Sequence, residues 1–258
     1  MMTIHDPTTL PLSFVLLELG VMIWAALTLR HAIGAHRNGD RAALLTWLTI
    51  FVYGLVMELV SYNAVDNFAH GQFTVMFYDE QLPLYITVVY PVLLYTGIAA
   101  ARRLRLRSFA AEAITAGILI VCIDVPFDIT GPRLGWWRWF DNDPNIAYRW
   151  LGVPVTSFYW HLTFGAILAG LTAWAARRSR APMPALWLCL PLTVGTIVLG
   201  VIGFLPFHGL KAIGVGDGVI VGAALAAAAV TAVYSAIPWP GSATSSERRP
   251  ASTSSRPR

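Results

Sequence analysis

Seven apolar stretches, each about the length of a membrane crossing, recur along the chain at residues 11–30, 42–61, 83–101, 110–127, 151–175, 185–207 and 217–236. A helix rises about 1.5 Å per residue, so roughly 20 mostly apolar residues cross the hydrocarbon of a bilayer. Only 12% of the residues are charged, against about 25% in an ordinary soluble domain. The chain is therefore predicted to be all-α: an integral membrane bundle of seven transmembrane helices over residues 1–238. Residues 239–258 hold Pro, Ser, Thr and Arg with almost nothing apolar. Such a segment cannot bury a core and is expected to be a disordered basic tail.

Charge sets the expected orientation. Fourteen of the eighteen Lys and Arg follow the first, third, fifth and seventh stretches, leaving Arg133, Arg138, Arg149 and Lys211 on the other side. Basic residues near helix ends stay cytoplasmic, which places the amino terminus outside and the tail inside the cell membrane. The net charge of +4 is thus topological, and nucleic acid is not an expected partner. No Lys or Arg precedes the first stretch, so it reads as a span and not as a secretory signal. Cys122 and Cys189 are expected near opposite faces, beyond the reach of a disulfide, as small packing residues. Gly218 and Gly222, four apart in the last stretch, read as a close-packing ridge. A retinal pigment needs a lysine within a helix, and the only lysine, Lys211, falls between stretches.

Ionisable groups inside a bilayer cost several kcal/mol, so each marks a functional position until a structural role is found. Four stand out: Glu18, Glu58, Asp124 and His161. With the amino terminus outside, all four fall in the outer half of the membrane, while the inner halves hold ionisable residues only at their ends. A relay for ions or protons would extend across; this pattern stops halfway. It predicts a pocket open to the outer side or outer leaflet. No internal repeat argues for a transporter of the inverted-duplication kind. Asp128 lies four residues after Asp124, but Pro126 between them is expected to break the helix and leave their geometry open. Two loops, 62–82 and 128–150, are longer than a turn requires, and such loops carry function. Trp136, Trp137, Trp139 and Trp150 fit either an interfacial aromatic belt or a site wall. Tyr62, Tyr159 and Trp160 stand near the same acids. Aromatic faces beside a proton donor are what a carbocation intermediate needs.

The order Asp124, Asp128, Gly135, Trp137, Trp139, Tyr148, Gly152, Val153, Pro154, Phe158, Trp160 resembles the carotenoid biosynthesis membrane protein family, which includes carotenoid hydratases. Glu58 followed by Gly71, Gln72 and Phe73 resembles that family's acidic motif. The likeness covers residues 55–165. Ser157 stands where the family has Asn, and Arg149, Trp150 and Leu151 separate Tyr148 from Gly152. Integral membrane terpene cyclases are related by chemistry.

The resemblance and the residues together imply an integral membrane enzyme that protonates an apolar isoprenoid, a terpene or carotenoid, and ends in cyclisation or hydration. The expected catalytic groups are Glu58, Asp124, Asp128 and His161, with Glu58 or Asp124 as proton donor. The expected substrate contacts are Glu18, Tyr62, Trp137, Trp139, Tyr159 and Trp160. No cofactor and no metal are expected. Two alternatives stay open. A metal-dependent prenyl transferase would set Mg²⁺ on Asp124 and Asp128 and a diphosphate on Arg133 and Arg138. A binding or transport protein would hold an amphipathic ligand without chemistry.

Overall fold

The computed structural model describes residues 1–178 and 185–237; the expected tail at 239–258 lies outside them. Seven helices are found among the described residues: α1 Leu12–Arg37, α2 Arg41–Val60, α3 Ile86–Arg103, α4 Phe109–Leu134, α5 Val155–Arg178, α6 Ala185–Ala212 and α7 Asp217–Ala236. Their ends follow local chemistry. The Asp40 carboxylate accepts from the Ala42 amide at 2.9 Å, and the Ser108 hydroxyl accepts from the Ala111 amide at 3.1 Å, capping α2 and α4. Arg102 and Arg103 close α3, and Arg177 and Arg178 close α5, against the negative ends of their dipoles.

Five of these helices are long and apolar enough to cross a membrane: α1, α2 with its continuation to Val65, α4, α6 and α7. The chain is a membrane protein by that measure. The two that fall short, α3 and α5, turn much of their surface to protein. In the packing, α2 lies on α3, α3 on α4, α4 on α5, and α5 back on α2. Outside this ring of four, α1 covers α2 and α3, α6 covers α2 and α5, and α7 covers α4 and α5. A helix that faces neighbours can hold tyrosines and threonines that lipid would not solvate.

The helix expected to stop near residue 127 runs on through Pro126 and Pro132 to Leu134. Proline removes one backbone donor per ring, and a membrane helix tolerates that loss where neighbours hold it in place. Here α3, α5 and α7 all pack on α4, and Thr130 Oγ1 donates to the Pro126 carbonyl at 2.7 Å. The consequence is large. Asp124 and Asp128 lie one turn apart on one continuous helix, on one face.

At the end of the bundle where the chain starts, short strands join the loops. Thr3–Ile4 (β1), Val75–Phe77 (β3) and Leu82–Pro83 (β4) form one antiparallel sheet; Phe68–His70 (β2) pairs with Trp137–Trp139 (β5); and Arg149–Trp150 (β6) pairs with Val153–Pro154 (β7). The β6–β7 hairpin turns on Leu151 and Gly152, both at positive φ (54° and 88°), which suits a two-residue hairpin turn. The hairpin spans Arg149–Pro154, and α5 starts directly after it at Val155. Gly218 and Gly222 of α7 receive the rings of Tyr148 and Trp150 from this same loop, so the small-residue ridge packs within the chain. Cys122 is exposed on α4 and Cys189 is buried on α6, both free.

The opposite end is tied by Arg102. Its Nη2 donates to Thr46 of α2 at 3.0 Å and to Thr172 of α5 at 3.3 Å, and its Nε lies 3.9 Å from Glu112 of α4. One guanidinium thus joins all four helices of the inner ring.

Candidate active site

The inner ring encloses a cavity of about 290 Å³ toward the strand-bearing end. Two groups of polar side chains reach it, one from α4 and α5, the other from α2, α3 and β2.

In the first group, both helices offer residues four apart. Asp124 and Asp128 project from α4, Ser157 and His161 from α5. Asp124 Oδ2 lies 3.2 Å from His161 Nε2. Ser157 Oγ donates to Asp128 Oδ2 at 2.7 Å. His161 Nδ1 lies 2.9 Å from the Ser157 carbonyl. A carbonyl only accepts, so Nδ1 carries hydrogen and Nε2 is left to face Asp124. Ser157 Oγ donates to the Asp128 carboxyl and so orients that acid. One oxygen or nitrogen from each of Asp124, Asp128 and His161 lies within 4.8 Å of the others, and both aspartates are buried.

Glu58 anchors the second group from the last turn of α2. Tyr90 of α3 donates its hydroxyl to Glu58 Oε1 at 2.8 Å. His70 of β2 sets Nε2 3.3 Å from Oε2. The Glu58 and His70 side chains are each 5% exposed, so water does not replace these partners. Tyr62 closes the group from behind, its ring edge-on to His70 at 6.2 Å.

An aromatic wall joins the two groups. The Trp160 ring centroid is 6.3 Å from Tyr90 and 4.7 Å from His161. The β2–β5 ribbon covers the cavity. Side chains alternate along strands, and the register pairs Phe68 with Trp139 and His70 with Trp137. Those four line the cavity while Arg138, opposite Ala69, stays exposed. Gly131 makes the roof possible, since any side chain there would enter the Trp137 ring. A polar edge remains at Asp143, which accepts from Asn67 Nδ2 at 3.0 Å and from the Asn145 amide at 2.8 Å. Partial burial pushes the Asp143 carboxyl up, but these hydrogen bonds outweigh it and hold the group below the ordinary aspartate value.

Of the residues expected from sequence, Glu58, Asp124, Asp128, His161, Trp137, Trp139 and Trp160 line this one cavity, and Tyr62 borders Glu58. Glu18 and Tyr159 do not line it. Glu18 accepts from the Thr74 and Val75 amides at 3.2 and 3.4 Å, holding the turn before β3 onto α1. Tyr159 donates to the Gly203 carbonyl at 3.0 Å and packs on Phe204 and Phe207, a contact between α5 and α6. Tyr90 and His70 escape a sequence reading as site residues. A tyrosine within an apolar stretch looks like packing, and His70 lies in a loop whose fold is not local. Ser157 carried a signal, four residues before His161, the spacing that puts both on one helical face.

The family described as Domain of unknown function (DUF7802) matches residues 5–178. No curated protein and no solved structure matches the chain. The matched span runs from just after β1 to the end of α5 and contains both polar groups and the cavity roof. Among the described residues that line the cavity, only Phe204 comes from beyond it.

Proposed function

We propose that this chain, which belongs to the DUF7802 family, is a seven-span enzyme of the cell membrane that protonates an apolar isoprenoid and works through a carbocation. In this reading α3 and α5 cross the membrane with the other five helices. The strand-bearing end lies outside and the Arg102 end faces the cytoplasm, as the distribution of Lys and Arg favours. The resemblance to carotenoid biosynthesis membrane proteins enters the same reading, with a terpene or carotenoid chain as substrate and no cofactor required.

The observation that carries the proposal is a cavity inside an apolar bundle, walled by Phe127, Trp137, Trp139 and Trp160, into which two carboxyl–imidazole pairs project. Apolar walls select an apolar ligand. The carboxyl groups have no cationic Lys or Arg among the residues lining the cavity, so their chemistry with such a ligand is proton transfer. Aromatic faces stabilise a cation once formed. The volume is at the lower end of the range, about 300 Å³ upward, that encloses a drug-sized molecule. That is room for a short terpenoid or for one end of a long chain whose remainder lies in lipid.

A second reading rests on the grouping of Asp124, Asp128 and His161. Imidazoles that bind metals are held by a hydrogen bond from the other ring nitrogen, and His161 has one. A metal-dependent prenyl transferase also needs cations for its diphosphate. Arg133 and Arg138 do not supply them: both are exposed and neither lines the cavity.

The test compares lipid extracts from cells expressing the wild type with extracts from cells expressing Asp124→Asn. A new isoprenoid in the wild type alone, either isomeric with its precursor or one water heavier, is the expected result. Identical extracts with a folded protein would end the enzymatic reading in favour of a binding or transport protein.

A further inference from the structure

The cavity holds two proton-handling groups built differently, on different walls, and one acid is enough to start a carbocation reaction. The second therefore needs a task of its own.

Their hydrogen bonds distinguish them. On the α4–α5 wall, two buried carboxyl groups and an imidazole crowd together, with one hydroxyl donor, Ser157, directed at Asp128. With Nδ1–H turned to a carbonyl, the contact between Asp124 and His161 Nε2 requires one hydrogen between them, and neighbouring carboxyl groups retain a proton rather than both ionise. This wall stores a proton. On the other wall, Glu58 stands alone among carboxyl groups and receives two donors, the Tyr90 hydroxyl and the His70 ring. In the His70 tautomer that carries its hydrogen on Nε2, both oxygens accept and Glu58 is arranged as a carboxylate. His70 gives Nε2–H to Glu58, and its buried Nδ1 is without a partner among the described residues, leaving room for one proton more. This wall is built to receive.

We infer that Glu58, supported by His70 and Tyr90, is the terminating base of the reaction, so that the substrate is an isoprenoid alkene and the product is its isomer. The inference rests on the acid-initiated reading above. The hydrogen between Asp124 and His161 passes to one alkene carbon as the π pair forms the new C–H bond, and the other carbon becomes the cation beside the Trp160 face. The electron pair of an adjacent C–H bond then closes a new double bond, and its proton goes to Glu58. One proton enters and one leaves, so no oxidant, reductant or second substrate is required. Ring closure between the two steps gives a cyclic isomer, and its omission gives a shifted double bond. The acid wall regains its proton from solvent at the Asp143 edge, and Glu58 loses its own there.

The experiment uses membranes carrying the full chain in D₂O buffer, with farnesol and geranylgeraniol as probes, and reads products by mass. The wild type is expected to yield an isomer carrying one deuterium. Glu58→Gln keeps initiation and loses termination, so the deuterated isomer falls about 100-fold or more, with water adduct in its place. Where Glu58→Gln fails to fold, Tyr90→Phe, which keeps the ring and drops one donor, is expected to shift the same partition toward the adduct. A wild-type product heavier by water, or a Glu58→Gln profile equal to the wild type, overturns the terminating base and leaves the acid-initiated reading standing. No deuterium and no product from either probe overturns that reading as well.

Discussion

His161 Nε2 and Asp124 Oδ2 lie 3.2 Å apart across the interface of α5 and α4, while His161 Nδ1 is held by the Ser157 carbonyl. The second contact decides what the first can be. With Nδ1 committed as donor, the ring cannot flip its tautomer, and the hydrogen between the pair is shared at a fixed place in the cavity wall.

Ser157 is the test of that wall. Ser157→Ala removes the donor to Asp128 Oδ2 and is expected to lower turnover about tenfold, the size of one hydrogen bond to a buried acid. Ser157→Asn keeps a donor at this position and is expected to recover most of the loss. Product formation per mole of folded protein, followed for all three forms, checks it.

Glu18 is expected to behave in the opposite way. Its partners are the Thr74 and Val75 amides, so Glu18→Ala leaves two part-buried donors poorly paired and should lower stability by about 1–3 kcal/mol. Thermal denaturation in detergent reads that change. Turnover of the protein that remains folded should equal the wild type, since Glu18 does not line the cavity.

Chelation separates the two readings of Asp124, Asp128 and His161. Treatment with EDTA, followed by assay with and without Mg²⁺ or Zn²⁺, is expected to leave turnover within about twofold of the start, because general acid catalysis uses only the protons of these groups. Loss on chelation and recovery with metal would instead favour the metal-dependent transferase.

Orientation is checked with reporters. One fused after residue 240 is expected to be active only in the cytoplasm, and one inserted at 141–147, beside Asp143, only outside. Both active on one side would remove the seven-span reading, and with it the placement of the cavity in the outer half.

Much of the architecture is legible along the chain because hydropathy is a local property. A run of apolar residues from 217 to 236 is a helix wherever its neighbours lie, and α7 begins and ends at those residues. The buried ionisable groups are legible for a related reason: Glu58, Asp124 and His161 interrupt apolar runs at a cost that packing alone does not explain. What each acid does was decided elsewhere. Whether α4 breaks at Pro126 depends on the helices packed around it, and only its continuation puts Asp128 on the face of Asp124. Glu18 and Glu58 look alike in sequence, yet one meets backbone amides and the other meets Tyr90, 32 residues away, and His70, 12 away. Which partners a buried carboxyl finds is set by helix packing and by strand register across distant loops, and that is where the tertiary structure gave one acid two backbone amides and the other a tyrosine and a histidine at a cavity wall.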